Sequence, residues 1–328
     1  MTHVVRFLAG CLLLVAACSA SPGDPNPEAT PPGSAGHGLV YADDLEMMLL
    51  VNAGLGGTNP PPASTRTRIW GWNGARWSLI DSSGPPVRNL AGVAYNTRRH
   101  ALVMHGGTYD TDRSYGETWE WSRKTGWRKF AGEGPGPRDH TQMAYDPERG
   151  ECVLFGGSGA DPNTAFTDTW EFDGVRWQRV AAEGPPARIH HVLAYDPSLH
   201  RVVTFGGATP GRGGLGDTWG WDGTRWTPAA PTTVPRTHAS MAFDPRRNAL
   251  VVVGGLRLQG IRMLERTGAG WALVPASSEP AARYLPSVAY DTKRGRLVLF
   301  GGGDPDGMDL FADTWEFDDT AWRRVGER

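Results

Sequence analysis

Arg138-Asp139-His140, an apolar run closing on Ala144-Tyr145-Asp146, the turn Pro147-Glu148-Arg149-Gly150 and then Val153-Leu154-Phe155-Gly156-Gly157 form the stretch that decides the fold. A polar loop follows, and the unit ends with Asp168-Thr169-Trp170-Glu171-Phe172-Asp173-Gly174 and Trp177. Short apolar runs separated by Asp-Pro, Gly-Gly and Asp-Gly breakers predict four antiparallel strands in a meander. One such sheet leaves both faces open, so it needs neighbours.

Aligned on its second glycine, the unit recurs at Gly54, Gly107, Gly157, Gly207, Gly255 and Gly302, and its closing tryptophan at Trp77, Trp127, Trp177, Trp226, Trp271 and Trp322. The Tyr-Asp step returns as Tyr95-Asn96, Tyr195-Asp196, Phe243-Asp244 and Tyr290-Asp291, degraded to Ala42-Asp43 in the first copy. The closing tryptophans are 45 to 51 residues apart, a blade-length period. On these residues the chain resembles the kelch family, in the style of bacterial extracytoplasmic members, over residues 37–328. The resemblance implies an all-β, six-bladed kelch-type β-propeller with four antiparallel strands per blade. The blades fall at about 37–80, 88–130, 138–180, 188–227, 236–274 and 283–325. Blades one and five diverge, with Ala53 for the first glycine and Leu264 for a tryptophan. The ring closes by packing blade one on blade six unless Gly36 to Val40 exchanges partners with the last blade. Architecture alone assigns no function.

Ahead of the repeats, Phe7 to Ala17 is an uncharged run too short to span a bilayer, and it reads as the h-region of a secretory signal. Leu14-Val15-Ala16-Ala17-Cys18 resembles the bacterial lipobox, which implies removal of residues 1–17 and lipidation of Cys18; simple secretion is the second reading. Ser19, where an aspartate would imply retention at the inner membrane, implies the outer membrane in a bacterium that has one. Residues 18–36, with Pro22, Pro25, Pro27, Pro31 and Pro32, read as a flexible Pro/Gly/Ser tether. The expected location is extracytoplasmic, with membrane contact only through the lipid, and the expected state is a monomer.

Cys152 is the single thiol of the repeat region, which excludes an intramolecular disulfide and a cysteine-rich metal site there. With 33 basic against 35 acidic residues and no basic run, nucleic acid is an unsuitable partner. Lysine occurs only at positions 124, 129 and 293.

Strand order puts the Gly-Pro-x-x-Arg loops and the loops after Gly-Gly on one face, and the Tyr-Asp-Pro and Asp-Gly turns on the other. The first is irregular and is where binding residues gather on a rigid scaffold. Arg88, Arg138, Arg188, Arg236 and Arg283 open the first strands, with His140, His190 and His238 two residues on in three blades. His37 is placed with these histidines, and Leu90 and Leu285 fill the remaining blades. Converging guanidinium groups suit a carboxylate or sulfate. The alternative is that each arginine bonds loop carbonyls and holds the ring, which repetition in nearly every blade favours. The histidines, spread over separate blades without a short ligand spacing, are not expected to hold a metal. Tyr109, Arg113 and Tyr115 offer aromatic and charged groups to a sugar or peptide. Asp161 to Phe166, Arg212, Arg257 and Gln259 are further loop groups. No cofactor is expected; Asp304, Asp306 and Asp309 are the residues whose oxygens match calcium, without the full ligand set of a known loop.

Two function classes follow. One is a non-catalytic scaffold binding a protein or glycan of the cell envelope. The other is a carbohydrate-active enzyme, since the kelch architecture is shared by a bacterial sialic acid mutarotase and by copper-radical sugar oxidases. The oxidase version is disfavoured because Cys152 lies toward the wrong face. A mutarotase needs an acid/base with an arginine for the substrate acid, as Arg188 with His190 or Arg138 with His140 would supply.

Overall fold

The computed structural model describes residues 30–326 apart from 52–63, 110–113, 160, 162, 181–183, 230–234, 257–259 and 307–308. Six four-stranded antiparallel sheets form the blades, each ordered first to fourth strand, with no helix among the described residues. In blade three the strands are Gln142–Asp146, Glu151–Phe155, Thr169–Phe172 and Trp177–Val180. The first strands, Gly38–Ala42, Gly92–Asn96, Gln142–Asp146, Val192–Asp196, Ser240–Asp244 and Ser287–Asp291, pack side by side in a closed ring. Blade four adds a small hairpin in its loop, pairing Ala208–Thr209 with Gly213–Gly214. The six-bladed propeller expected from the repeats is the observed fold.

Each sheet is covered on both faces by its neighbours, so a strand in its middle is apolar without alternation. Second strands such as Met47–Val51, Ala249–Val253 and Arg296–Phe300 are accordingly buried almost throughout. The outermost Trp177–Val180 buries its tryptophan and exposes Gln178 and Arg179. The core is therefore divided into six apolar clusters, one per seam. Val103, Leu154, Phe172 and Trp177 join blades two and three, and Leu50, Trp70, Trp77 and Phe300 join blades one and six.

A hydrogen bond fixes the register of four of the six seams. Nε1 of a closing tryptophan donates to the hydroxyl of the threonine that opens the third strand of the preceding blade. The pairs are Trp77 to Thr314, Trp177 to Thr118 and Trp226 to Thr169, each 2.8 Å, and Trp271 to Thr218 at 3.0 Å. Blades one and five have Ile69 and Met263 at the threonine's place. The next tryptophans, Trp127 and Trp322, accordingly have no acceptor for Nε1 among the described residues.

The double glycine is a second seam device. Gly157 N–H donates to Arg188 O of the next blade at 3.0 Å, and the bond repeats from Gly107 to Arg138, Gly207 to Arg236 and Gly255 to Arg283. At Gly157, φ is +91° and an added Cβ would lie 2.5 Å from Asp139 O. Only glycine fits that approach. Val51 takes the register place of Phe155, since it pairs with Gly38 as Phe155 pairs with Gln142. Asn52, Ala53 and Gly54, where the doublet of blade one is expected, lie outside the described residues.

Gly38–Ala42 pairs with Met47–Val51 of its own blade, so no strand is exchanged at the closure. The preceding segment straps onto blade six instead: Ser34 N–H to Phe311 O is 3.2 Å, Gly302 N–H to Ser34 O is 2.8 Å and Ser287 Oγ to His37 O is 2.7 Å. Pro31 and Ser34 are buried. The packed structure therefore begins inside the stretch that composition alone assigns to the tether through Gly36.

Thr169→Val, nearly the same shape, leaves Trp226 Nε1 without its acceptor. The expected loss is about 1–3 kcal/mol of unfolding free energy, read as a lower urea midpoint at unchanged slope. Thr169→Ser, which keeps the hydroxyl, should retain most of the stability. An unchanged midpoint in the valine variant would show that this bond does not hold the seam.

Candidate functional site

At the axial end of the loop face, Gly36, Leu90, His140, His190, His238 and Leu285 occupy one place in six successive blades, just before the first strand. All six have positive φ, between 48° and 70°. Non-glycine residues persist there only where their surroundings over-determine them. Here the backbone bonds from blade to blade: Leu90 N–H to Gly36 O 2.7 Å, His238 to His190 O 3.1 Å, Leu285 to His238 O 2.7 Å and Gly36 to Leu285 O 3.3 Å. We refer to this ring as the hub.

Because adjacent blades touch at the hub, residues far apart in sequence become neighbours. The rings of His140 and His190 meet edge to face at 4.3 Å, and those of His190 and His238 stack at 3.6 Å. Tyr284 stands edge-on to His238 at 6.4 Å. The spacing of about one blade made these histidines look scattered; the structure gathers them into a half-buried row. His37 does not belong to it. Gly36 takes that place, and His37 matches His191 one residue on, inside a seam, where its Nε2 is 3.2 Å from Phe300 O and its Nδ1 3.0 Å from Ser34 Oγ.

Asp139 is the neighbour the sequence reading passed over, although it directly precedes His140. Its Oδ1 accepts from His140 Nδ1 at 2.5 Å and from Ser158 Oγ at 2.9 Å, and its Oδ2 from Ser114 Oγ at 2.6 Å. Burial opposes the carboxylate, but the bond and charge of His140 and the two serine hydroxyls outweigh it, so Asp139 titrates below its usual range. Burial lowers the imidazoles: His190 well below its ordinary value, His238 and His37 to about 4, His105 and His191 to about 3. These five are neutral at pH 7.

The arginines point elsewhere. Arg88, Arg138, Arg188 and Arg283 are 0–1% exposed and run back into their own blades. Arg138 spans both oxygens of Asp168 at 2.8 and 3.0 Å and bonds Pro135 O and Gly156 O. Arg188 with Asp217, Arg283 with Asp313 and Arg88 with Glu117 repeat the pattern. Tyr115 lies over Arg88 at 3.8 Å, as Phe166 lies over Arg138 at 4.4 Å and Phe311 over Arg283 at 4.2 Å. Tyr115 is thus an aromatic lid on a buried guanidinium, with the ring of Tyr109 6.1 Å from its own. Arg236 differs: its Nη1 bonds only carbonyls, Gly254 O and Arg262 O, because Arg262 replaces the acid. Burial and the charge of Arg262 bring Arg236 down to about 10. These placements favour the ring-holding alternative for the arginines.

Among the other sequence candidates, Asp304 and Asp309 close a turn through Asp304 N–H to Asp309 O at 3.0 Å. The carboxylates of Asp304, Asp306 and Asp309 do not converge; among the described residues the set of three acid or imidazole groups whose ligand atoms all lie within 4.8 Å of one another is Asp43, Asp44 and His100, exposed on the turn face. Asp161 caps its own loop at Asn163 and Thr164, and Arg212 is exposed. Cys152 is fully buried in the seam of blades two and three, and burial pushes its thiol up. A cavity of about 410 Å³ lies away from the hub, lined by Glu117, Lys129 and Phe130 among others. Cys18, Arg113, Arg257 and Gln259 lie outside the described residues. Comparison with protein-family models finds no match, and comparison with curated proteins finds none.

Two outcomes are expected. Arg138→Met strands the Asp168 carboxylate and should cost about 3–5 kcal/mol, whereas Arg236→Met removes a buried cation that has no acid and should cost clearly less. Equal losses in chemical denaturation would show that the ion pair is not what distinguishes them. The second outcome concerns pH. The five lowered histidines stay neutral in the fold, while the unfolded chain takes protons near pH 6.5, so stability is full above that value and is lost as pH falls toward 4. Each withdraws up to about 1.4 kcal/mol per pH unit in that window. A urea midpoint that is flat between pH 7 and 5 would contradict their neutral burial.

Proposed function

We propose that the chain is a kelch-type, non-catalytic binding scaffold, held outside the cytoplasmic membrane by a lipid on Cys18. Its loop face takes a protein or a glycan of the envelope. The observation that carries this reading is the different use the two faces make of their side chains. On the turn face the carboxylates are spent on the turns: Asp146, Asp196, Asp244 and Asp291 accept from their own turn N–H groups, as do Asp173, Asp222 and Asp318. Arg149 bonds Asp146 at 2.8 Å and Glu171 at 2.5 Å, and Trp221 of the next blade reaches the same Glu171 at 2.7 Å. The loop face instead carries second-to-third-strand loops of unequal length, with Tyr109, His140 and Tyr284 half-buried among them. Irregular loops on a rigid frame suit recognition.

The Asp139–His140 pair favours one alternative, a mutarotase-like enzyme in which His140 Nε2 moves a proton on a sugar. Accelerated anomer equilibration by the native chain and not by His140→Asn would establish it.

The test of the scaffold reading uses the soluble chain from residue 19 onward on glycan arrays and in cross-linking to envelope extracts. Tyr109→Ser and Tyr284→Ser should abolish capture. Val175→Ser and Leu199→Ser, at positions 78% and 40% exposed on the turn face, should leave it intact. The reverse pattern would move the site to the turn face. In cells, Cys18→Ser should shift the protein from the membrane fraction to the soluble one.

A further inference from the structure

The geometry points to a transition-metal site at the hub: His140, His190 and His238, from three successive blades, supply imidazole ligands to one divalent first-row ion such as Zn²⁺. This holds whether or not the loop face binds a protein or glycan. The three rings are in contact, at 4.3 and 3.6 Å between centroids. In the outer two, Nδ1 is engaged, His140 with Asp139 at 2.5 Å and His238 with Thr237 Oγ1 at 3.0 Å. Each ring is thereby oriented with Nε2 left over for an ion, and a carboxylate behind a ligating imidazole is the arrangement that orients such ligands and raises their basicity. In the central His190, Nδ1 is buried and has no hydrogen-bond partner among the described residues, which is costly unless something engages it.

Imidazole nitrogens that carry no proton are transition-metal ligands. The nearby guanidinium groups that might serve an anion are committed inside their blades. In the stacked arrangement the ring nitrogens do not all lie within 4.8 Å of one another. Ion capture therefore turns the rings about their side-chain torsions, while the hub bonds from His238 N–H to His190 O and from Leu285 N–H to His238 O keep the backbone of His190 and His238 in place.

Titration of the untagged full-length mature chain with Zn²⁺ by calorimetry, and with Co²⁺ by its visible ligand-field bands, tests the site. One equivalent should bind, with nitrogen-ligand bands for Co²⁺. His190→Asn and His238→Asn should each weaken binding by roughly 100-fold or more, and Asp139→Asn by roughly 10–100-fold. Asparagine is chosen because it tolerates the positive φ of the hub, and circular dichroism identifies any variant that fails to fold. If one histidine variant misfolds, the other decides. His100→Asn, in the exposed group with Asp43 and Asp44, and His200→Asn, exposed on the turn face, should bind as the parent does. No uptake by the parent, binding that survives both hub variants, or binding lost in His100→Asn would each overturn the assignment.

Discussion

Everything in this propeller turns on one junction, where a glycine N–H of one blade meets the arginine carbonyl of the next. The backbone of Arg188 accepts from Gly157 of the preceding blade, while its side chain grips Asp217 and Gly206 O of its own blade. One residue thus couples the order within a blade to the contact between blades. A buried guanidinium is costly unless its charge is matched and its donors are filled. The carboxylate and loop carbonyls meet that demand, and in doing so they pin the backbone carbonyl on which the neighbour depends. Two residues beyond each arginine, the chain passes through the left-handed region at the hub. At Leu90, His190, His238 and Leu285 that strain is sustained by backbone bonds to adjoining blades.

The wheel is not uniform. Blades one and five each replace the threonine of the tryptophan latch by an apolar residue, Ile69 and Met263. Blade five also replaces the acid partner of its arginine by Arg262 and a buried aromatic by Arg266, which reaches Asp196 of blade four at 2.8 Å. The seams after these two blades lack the latch and rely more on apolar contact, while the other four carry it. The histidine row runs over blades three, four and five, through specified seams and up to a looser one.

How much of this was legible follows from the physics of each feature. Strand positions, blade count and the two faces are local: they are written in turn residues and apolar runs, which a single blade displays. The arginine at each strand start was legible as a repeat, but its direction was not, because a side chain four residues before a strand can face the axis or fold back. The acids that decide this, Asp168, Asp217 and Asp313, lie some thirty residues downstream. The histidines are visible in the sequence but look scattered, because sequence distance measures the path round a blade and not the short step across the hub. Gly36 was hidden for a related reason. A glycine carries no side chain to align, so His37 was drawn into its place until the register of Gly38 with Val51 settled the offset.

The strap at Ser34 to His37 gives the molecule a mechanical polarity. It leaves blade one, crosses the closing seam and is hydrogen-bonded to blade six at Phe311, Gly302, Ser287 and, through Gly36, Leu285. Tension applied from the N-terminal side loads these bonds before it reaches any strand of blade one, and it does so at the one seam where the ends of the chain meet. A load of that kind tests the ring at its clasp while the other five seams stay slack. The wheel therefore has a defined point of first failure, set by a few backbone hydrogen bonds and not by the bulk of its core.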